Sequence, residues 1–416
     1  MVHESPVTIG VVVDANHAFG RGAMRGIEQF AQTRPHWHLE FYGERSVTAG
    51  ALTHAKPAGV IAHVANQELG DVLRSLQIPV INTSFMLPDG LFPRVGVDNW
   101  QIGQYASNHF LERGFQHFAV VGHEGHFYSE EREAGFRCVL QKKDHTCASF
   151  YQRSDPRFPM EVTPLNAMRE LQQWLSKLPT PVGIFTCRGL WGIQLTEICR
   201  LIGRRVPEDV AVVCVDNDEV LCESSRPSLS SITVPLERIG FEAATLLDRV
   251  LEGKQLGGLR SHHATAGKGK SRPGNGWSPQ IVPKLIPPTG VITRQSSDVF
   301  ACEDPDVAAA LRFIYKHAQR SINVADVLDE VPVPRRILEK KFRFKLDRGI
   351  AEQISLVRIE RAKFLLASTS FTIAEVATQV GFTNVQYLSR VFRKKAGLTP
   401  SAFRHQFCET RVSATD

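Results

Sequence analysis

The chain lacks a cysteine framework, a membrane-length apolar run and any motif that would set catalytic groups beside one another. Its 416 residues hold eight cysteines, at positions 138, 147, 187, 199, 214, 222, 302 and 408, and none belongs to a C-x-x-C pair. Structural zinc sites and disulfide scaffolds need short, regular spacings, so neither is expected and the thiols read as reduced core residues. His262-His263 is too isolated to suggest a metal site. Met1 to Pro6 leads straight into a short apolar strand with no cleavage site, and no later run is long enough to cross a bilayer. A cytoplasmic protein with no membrane partner and no cofactor is expected. Asp and Glu pairs could in principle hydrolyse glycosides, but none sits in a motif with catalytic geometry, so no enzymatic activity is expected.

Positive charge is scarce overall, +6 for the whole chain, yet it is concentrated. Val331 to Arg404 carries fifteen Lys and Arg against five Asp and Glu, a local excess of ten that the remainder, with an excess of four acidic residues, only partly offsets. Neutralising phosphates releases condensed counterions, so such a patch favours nucleic acid and makes binding steeply salt-dependent.

The patch is framed by helices. Ile373, Val376, Ala377 and Val380 recur at i, i+3, i+4, i+7, which gives a short helix one apolar stripe, with Thr372 as its N-cap. Gly381 can take the left-handed conformation that ends a helix without a Cβ clash, and Phe382 can close the turn. Beyond it, Leu388, Val391 and Phe392 continue a buried stripe, while Asn384, Gln386, Tyr387, Arg390 and Lys394 occupy the start and outer faces of a second helix. A major groove admits a helix and offers patterns that Gln and Arg pair with in two-pronged fashion. A first unit of the same kind has Asn323 to Leu328 as leading helix and Arg335 to Arg343 as recognition helix. Leu338 and Phe342 form its buried side, and Arg335, Arg336, Lys340 and Arg343 divide between base edges and phosphates. Pro332 and Pro334 precede that helix; proline is tolerated in a first helical turn.

Asp306 to Gln406 resembles the arabinose-regulator (AraC-type) DNA-binding family, in which a linker helix joins two helix-turn-helix units. Arg361, Ala362, Leu365, Leu366, Ile373, Ala377, Gly381, Phe382, Phe392, Lys394, Gly397, Thr399, Pro400, Phe403 and Arg404 carry the resemblance.

The first part of the chain alternates apolar runs with amphipathic stretches. Val7 to Val13, Leu39 to Tyr42, Val60 to Val64, Pro79 to Asn82, Phe118 to Gly122, Gly183 to Thr186 and Val210 to Asp216 read as strands, with a helix around Met24 to Ala31. Short apolar runs between helices imply parallel sheets buried on both faces, and ligands sit beyond the carboxyl ends of such strands. Residues just after the runs include Asp14, Asn16 and Arg21, then Asp98 and Asn99, then Arg188, then Asp216, Asn217 and Asp218. Carboxylates, amides and arginine suit a neutral polyol, whose hydroxyls both donate and accept. Singly, an Asp after a strand can instead cap the next helix.

Val7 to Ser296 resembles the sugar-binding domain of the lactose-repressor family, a two-lobed fold shared with periplasmic sugar-binding proteins. Val97-Asp98-Asn99, Leu111 to Phe115, Val120-Val121-Gly122, Glu131-Arg132, Gly135-Phe136, Val206 to Val210, Val215-Asp216-Asn217 and Leu229 to Ile232 carry it. The resemblance implies that Arg132 and Asp216 bind sugar hydroxyls. Where the family has Asn-Asp, Cys187-Arg188 stands here. Arg188 contacts the ligand or salt-bridges within its lobe, and Trp191 stacks on a sugar or packs in the core.

A lactose-repressor-like sensor ahead of an arabinose-type tail resembles the family of bacterial xylose operon regulators. Asn16, Ala18, Phe19 and Arg21 match its first ligand loop, although an expected Asp is replaced by Gly20. The fold class implied is an α/β two-lobed periplasmic-binding-protein-like sensor followed by an all-α domain with two helix-turn-helix units. The expected division is a sensor over 1–256, a flexible Gly/Ser/Lys/His-rich insertion over 257–280, and the end of the sensor with the connection over 281–304. The DNA-binding domain follows over 305–408, with a tail over 409–416. The expected function is a DNA-binding regulator, acting as an activator, that senses a monosaccharide such as D-xylose between its lobes. Lobe closure is expected to reorient the two tails of a homodimer on repeated operator half-sites. A sugar-transport binding protein is the competing class, opposed by the basic tail.

Overall fold

The computed structural model describes residues 6–44, 47–88, 91–153, 165–253, 283–302 and 304–408. The expected insertion 257–280 and tail 409–416 lie outside the described residues. In chain order the strands and helices begin with β1 (Val7–Val12), α1 (Ala18–Ala31), β2 (Trp37–Tyr42), α2 (Ala49–Ala55), β3 (Gly59–Ala62), α3 (Gln67–Ser75), β4 (Val80–Asn82) and β5 (Val95–Val97). There follow α4 (Asn99–Glu112), β6 (His117–His123), α5 (Phe127–Gln141), β7 (Cys147–Gln152), α6 (Leu165–Ser176), β8 (Val182–Thr186), α7 (Gly189–Leu201), β9 (Val210–Val215), α8 (Glu219–Ser224), β10 (Ser230–Thr233) and α9 (Leu236–Leu251). The remainder is β11 (Lys284–Ile286), β12 (Gly290–Ile292), α10 (Pro305–His317), α11 (Val324–Glu330), α12 (Arg335–Leu346), α13 (Ile350–Ser368), α14 (Ile373–Gln379), α15 (Val385–Ala396) and α16 (Pro400–Cys408). These elements fall into two compact units.

The first unit takes Met1–Asp98, His126–Tyr128 and Pro235–Pro287. Its main sheet has the order β2-β1-β3-β4 with every pairing parallel. Val12, Val60, Ala62 and Val80 pack with Leu52, Leu69 and Leu73 of the flanking helices. Each fully buried Val or Leu side chain contributes on the order of 1.5–3 kcal/mol. Helix α1 starts at Ala18 rather than near Met24, because its first turns pack against α9 instead of following an apolar period. That crossing brings backbones together: a Cβ on Gly26 would lie 1.7 Å from the Glu237 carbonyl oxygen, and one on Gly240 1.9 Å from that of Ala23.

The second unit takes Asn99–Gly125, Ser129–Val234 and Pro288–Asp416. Its sheet runs β12-β10-β9-β8-β6-β7, parallel except for the antiparallel edge pair β10–β12. Strands β8 and β9 are buried along their whole length, as continuous apolar runs between two helical layers must be.

In the same unit the C-terminal helices form two cores. Val307, Leu311 and Ile314 of α10 pack with Val327 of α11, Leu338 and Phe342 of α12, and Ile350 and Ile354 of α13. The second core joins Ile359, Ala362 and Leu366 of α13 to Val376, Leu388, Phe392 and Phe403. Helix α13 therefore turns successive faces to two different cores, which makes it the linker between two helix-turn-helix units. Its Arg358 donates to the carbonyls of Ala318 (2.9 Å), Arg320 (2.8 Å) and Ile322 (2.8 Å), satisfying the exit of α10.

Candidate functional site

In the first unit, the carboxyl ends of β1 and β3 carry Asp14 and His63. One Asp14 carboxylate oxygen accepts from the Asn16 backbone N–H (2.9 Å) and side-chain amide (2.8 Å). The other lies 3.6 Å from His17. Asp14 thus shapes its own loop and does not cap α1, whose N-cap residue is His17. The Arg21 guanidinium donates to the carbonyls of Ala15 (3.1 Å) and Asn16 (2.9 Å) and staples the loop from its other side. Phe19 tilts against His63, ring centres 5.1 Å apart, and His63 Nδ1 lies 3.0 Å from Glu44 Oε1. Gly20 has a structural cause as well: a Cβ there would sit 1.9 Å from the Asp14 carbonyl oxygen. Asp98 ends the unit, its N–H donating to the Ile286 carbonyl (2.8 Å).

In the second unit, Arg132 of α5 is buried. Its Nε donates to Asn99 Oδ1 (2.9 Å) and its Nη1 to the Cys187 carbonyl (2.6 Å), the peptide immediately before Arg188. Arg188 stands at the start of α7 and makes no salt bridge among the described residues; its Nη1 is buried with no hydrogen-bond partner. Trp191, 2% exposed, stacks on His123 with ring centres 5.4 Å apart and an interplanar angle of 13°. Burial holds the His123 imidazole below its usual range, and the Arg188 charge pushes the same way. After β9, Asp216 and Asn217 both adopt left-handed backbone, φ +77° and +44°, a costly conformation for side-chain-bearing residues. Asn217 is held there by Arg294 (2.9 Å to its Oδ1) and by Ser231 (3.0 Å from its N–H). The Asp216 carboxylate has no hydrogen-bond or ion-pair partner among the described residues.

Within this unit the strand ends gather Arg132, Arg188, Trp191, Asp216 and Asn217. Glu44, His63, His123 and Arg294 were not singled out as binding residues, yet they position some that were, as does Asn99 for Arg132. The first three follow or end apolar runs, so reading every strand end would have found them. Nothing local marks Arg294.

In the C-terminal helices, Asn384 caps α15 by accepting from the Tyr387 N–H (2.7 Å), so its side-chain oxygen is committed to the helix. Thr372 and Glu375 form a reciprocal capping box at α14. The turn closes as a Schellman motif: Gly381, φ +83°, donates to Thr378, and Phe382 to Ala377. The outward side of α15 carries Gln386, Tyr387, Arg390, Arg393 and Lys394, with Arg390 over the Tyr387 ring at 5.2 Å. On α12, Arg335, Arg336, Lys340 and Arg343 are exposed, whereas Lys341 pairs with Asp304 (2.9 Å) and Asp306 (2.5 Å). Pro334 serves as N-cap position without a side-chain cap, and its carbonyl accepts from Leu338 (3.2 Å).

Comparison with known proteins follows the same division. Residues 107–263 match the periplasmic binding protein-like domain family, and residues 328–406 a helix-turn-helix domain family. The chain is a DNA-binding transcription regulator of AraC type, with a periplasmic-binding-protein-like sensor ahead of its two helix-turn-helix units. It is a homologue of the xylose operon regulatory proteins. The one from Haemophilus influenzae is 29% identical over 95% of this chain and 97% of that protein, and the one from Escherichia coli K12 27% over 95% and 96%. A solved structure described as a xylose-binding transcription activator superposes with a TM-score of 0.58 at 25% identity, covering 97% of this chain and 99% of that one.

Proposed function

We propose that the regulator senses a monosaccharide, D-xylose or a close relative of it, and that sugar binding alters its grip on an operator. The observation that supports this most directly is the set of polar groups left without partners at the strand ends of the second unit: the Asp216 carboxylate and Arg188 Nη1. Buried or strained polar groups are costly unless something completes their hydrogen bonds, and a ligand rich in hydroxyls would do so. Asp216 accepts from one or two adjacent hydroxyls, Arg132 and Asn217 donate to others, and the buried Trp191–His123 stack packs in the core and supports the site without presenting a ring face to the ligand. Asp14, Asn16, Phe19, Arg21 and Asp98 of the first unit are the further candidate contacts. The names of the full-length homologues make D-xylose the first sugar to test.

The DNA contacts are assigned to Arg335, Arg336, Lys340 and Arg343 of α12 and to Asn384, Gln386, Tyr387, Arg390 and Lys394 at α15. Gln386 and Arg390 suit base edges, while the remaining cations suit phosphates. A cytoplasmic homodimer that activates transcription from two half-sites accords with two reading helices in each chain. A ligand shifts such a switch only through differential affinity for its two states. A thermal-shift screen against D-xylose, L-arabinose, D-ribose and D-glucose tests the sensor, because a ligand of the folded state raises the melting temperature. DNA affinity measured with and without the stabilising sugar tests the switch. Equal affinity in both conditions would refute it.

A further inference from the structure

We propose that the effector carries an anionic group, so that the ligand class is an acidic sugar, and that Arg188 is the residue that recognises its charge. The inference rests on the sensor reading above and narrows it.

Four observations in the second unit converge. Arg188 is half-buried, its guanidinium makes no hydrogen bond or ion pair among the described residues, and its Nη1 is shut off from solvent. A guanidinium cannot shed its charge at physiological pH, so an enclosed and unpaired one is a standing cost that an anion removes. The residue heads α7, a helix with no side-chain cap and no acidic residue in its first turn, so nothing acidic there competes with an anion for the helix start. Arg132 is joined to the same spot, since its Nη1 donates to the carbonyl of Cys187, the neighbouring peptide. Finally, the His123–Trp191 stack beside it is dry, with both rings at most 4% exposed, and low local polarity strengthens charge recognition.

The Asp216 carboxylate sets the limit on the ligand. It lies at the end of β9, next to β8, and would repel a second negative group there, while it accepts readily from hydroxyls. The chemistry therefore fits a polyhydroxylated chain or ring with one acidic group. A carboxylate offers the planar, two-pronged geometry that a guanidinium matches. A sugar phosphate offers the same charge with three acceptor oxygens.

Isothermal titration of the full-length chain at pH 7 separates the possibilities, with D-xylose, D-xylonate, D-glucuronate and D-xylose 5-phosphate as probes. The expected result is that at least one anionic probe binds tenfold or more tightly than D-xylose. Arg188→Asn, which restores a neutral amide, should then lose at least tenfold for that probe and lower the anion-to-neutral affinity ratio by a similar factor. Arg188→Lys, which keeps charge but not the fork, should fall between them for a carboxylate. A phosphate preference would identify phosphate as the acidic group within the same class. D-Xylose binding as tightly as every anion, or an anion-to-neutral ratio unchanged in Arg188→Asn, would overturn the inference and leave the sugar-sensor reading standing. Binding of none of the four would overturn both.

Discussion

Glu112 offers a direct test of how the C-terminal helices are held on the α/β part of the second unit. It ends α4 beside a cavity of about 1160 Å³ whose lining includes Tyr105, Arg113, Tyr315 and Glu360. Its Oε2 accepts from the Tyr315 hydroxyl of α10 (3.2 Å). Burial pushes the Glu112 carboxyl up from 4.5 to about 7, the Glu360 carboxylate of α13 adds to the rise, and Arg348, Arg113 and the Tyr315 hydrogen bond oppose it. Below pH 4.5 folded and unfolded chains both hold the proton, and its contribution to stability is fully present. Between 4.5 and 7 the unfolded chain releases the proton while the folded one keeps it, so stability falls as pH rises. At about 1.4 kcal/mol per pH unit the loss amounts to about 3 kcal/mol by pH 8. Glu112→Gln keeps the shape and an acceptor for Tyr315 but cannot ionise. Urea unfolding followed by circular dichroism at pH 5 and pH 8 should show the wild type losing about 3 kcal/mol more than the variant. A difference below 1 kcal/mol would show that Glu112 is ionised in the folded protein and that the account of its burial is wrong.

Other perturbations probe separate features. Gly26→Ala puts a methyl group 1.7 Å from the Glu237 carbonyl oxygen and should lower the melting temperature by several degrees, whereas Gly50→Ala, with its nearest neighbour at 3.9 Å, should not. Arg358→Met strands three carbonyls at the exit of α10 and should cost about 3 kcal/mol, read as loss of DNA binding at 37 °C that cooling restores. Lys394→Ala should weaken binding to all DNA sequences alike and reduce the slope of log K against log salt by about 0.9, measured by fluorescence anisotropy. Asp216→Gly should relieve left-handed strain and raise the melting temperature, by about 1–2 kcal/mol in stability, while abolishing the sugar-induced shift. A variant that retained the shift would remove Asp216 from the site.

Much of the fold was legible because periodicity reports which face of an element is buried. Val11, Val213 and Ile184 sit in strands whose apolar runs are continuous, and Ile373, Val376 and Val380 lie on one stripe of α14 and its cap. Periodicity is silent about what lies opposite that face. The early start of α1 depends on α9, more than two hundred residues later, and the small residues at the crossing register only as glycines until the two backbones meet. Strand β7, Cys147–Gln152, has mostly half-exposed side chains because it is a sheet edge, so no apolar run announces it.

The candidate site shows the same division between local and distant causes. Asp216 and Arg132 stand at positions where chain order alone places polar groups beyond a parallel strand. The properties that make them useful come from elsewhere: Asn99 and the Cys187 carbonyl fix the Arg132 guanidinium, and Arg294 and Ser231 hold Asn217 in the left-handed backbone it shares with Asp216. Preorganisation of this kind costs folding stability, since strained backbone and an unpaired guanidinium both oppose the folded state. Such costs persist where a ligand offsets them. Unsatisfied chemistry at the strand ends therefore argues for a binding site more strongly than groups whose partners are complete, and Arg188, where the chain departs from the lactose-repressor pattern, keeps a buried guanidinium nitrogen without a hydrogen-bond partner there.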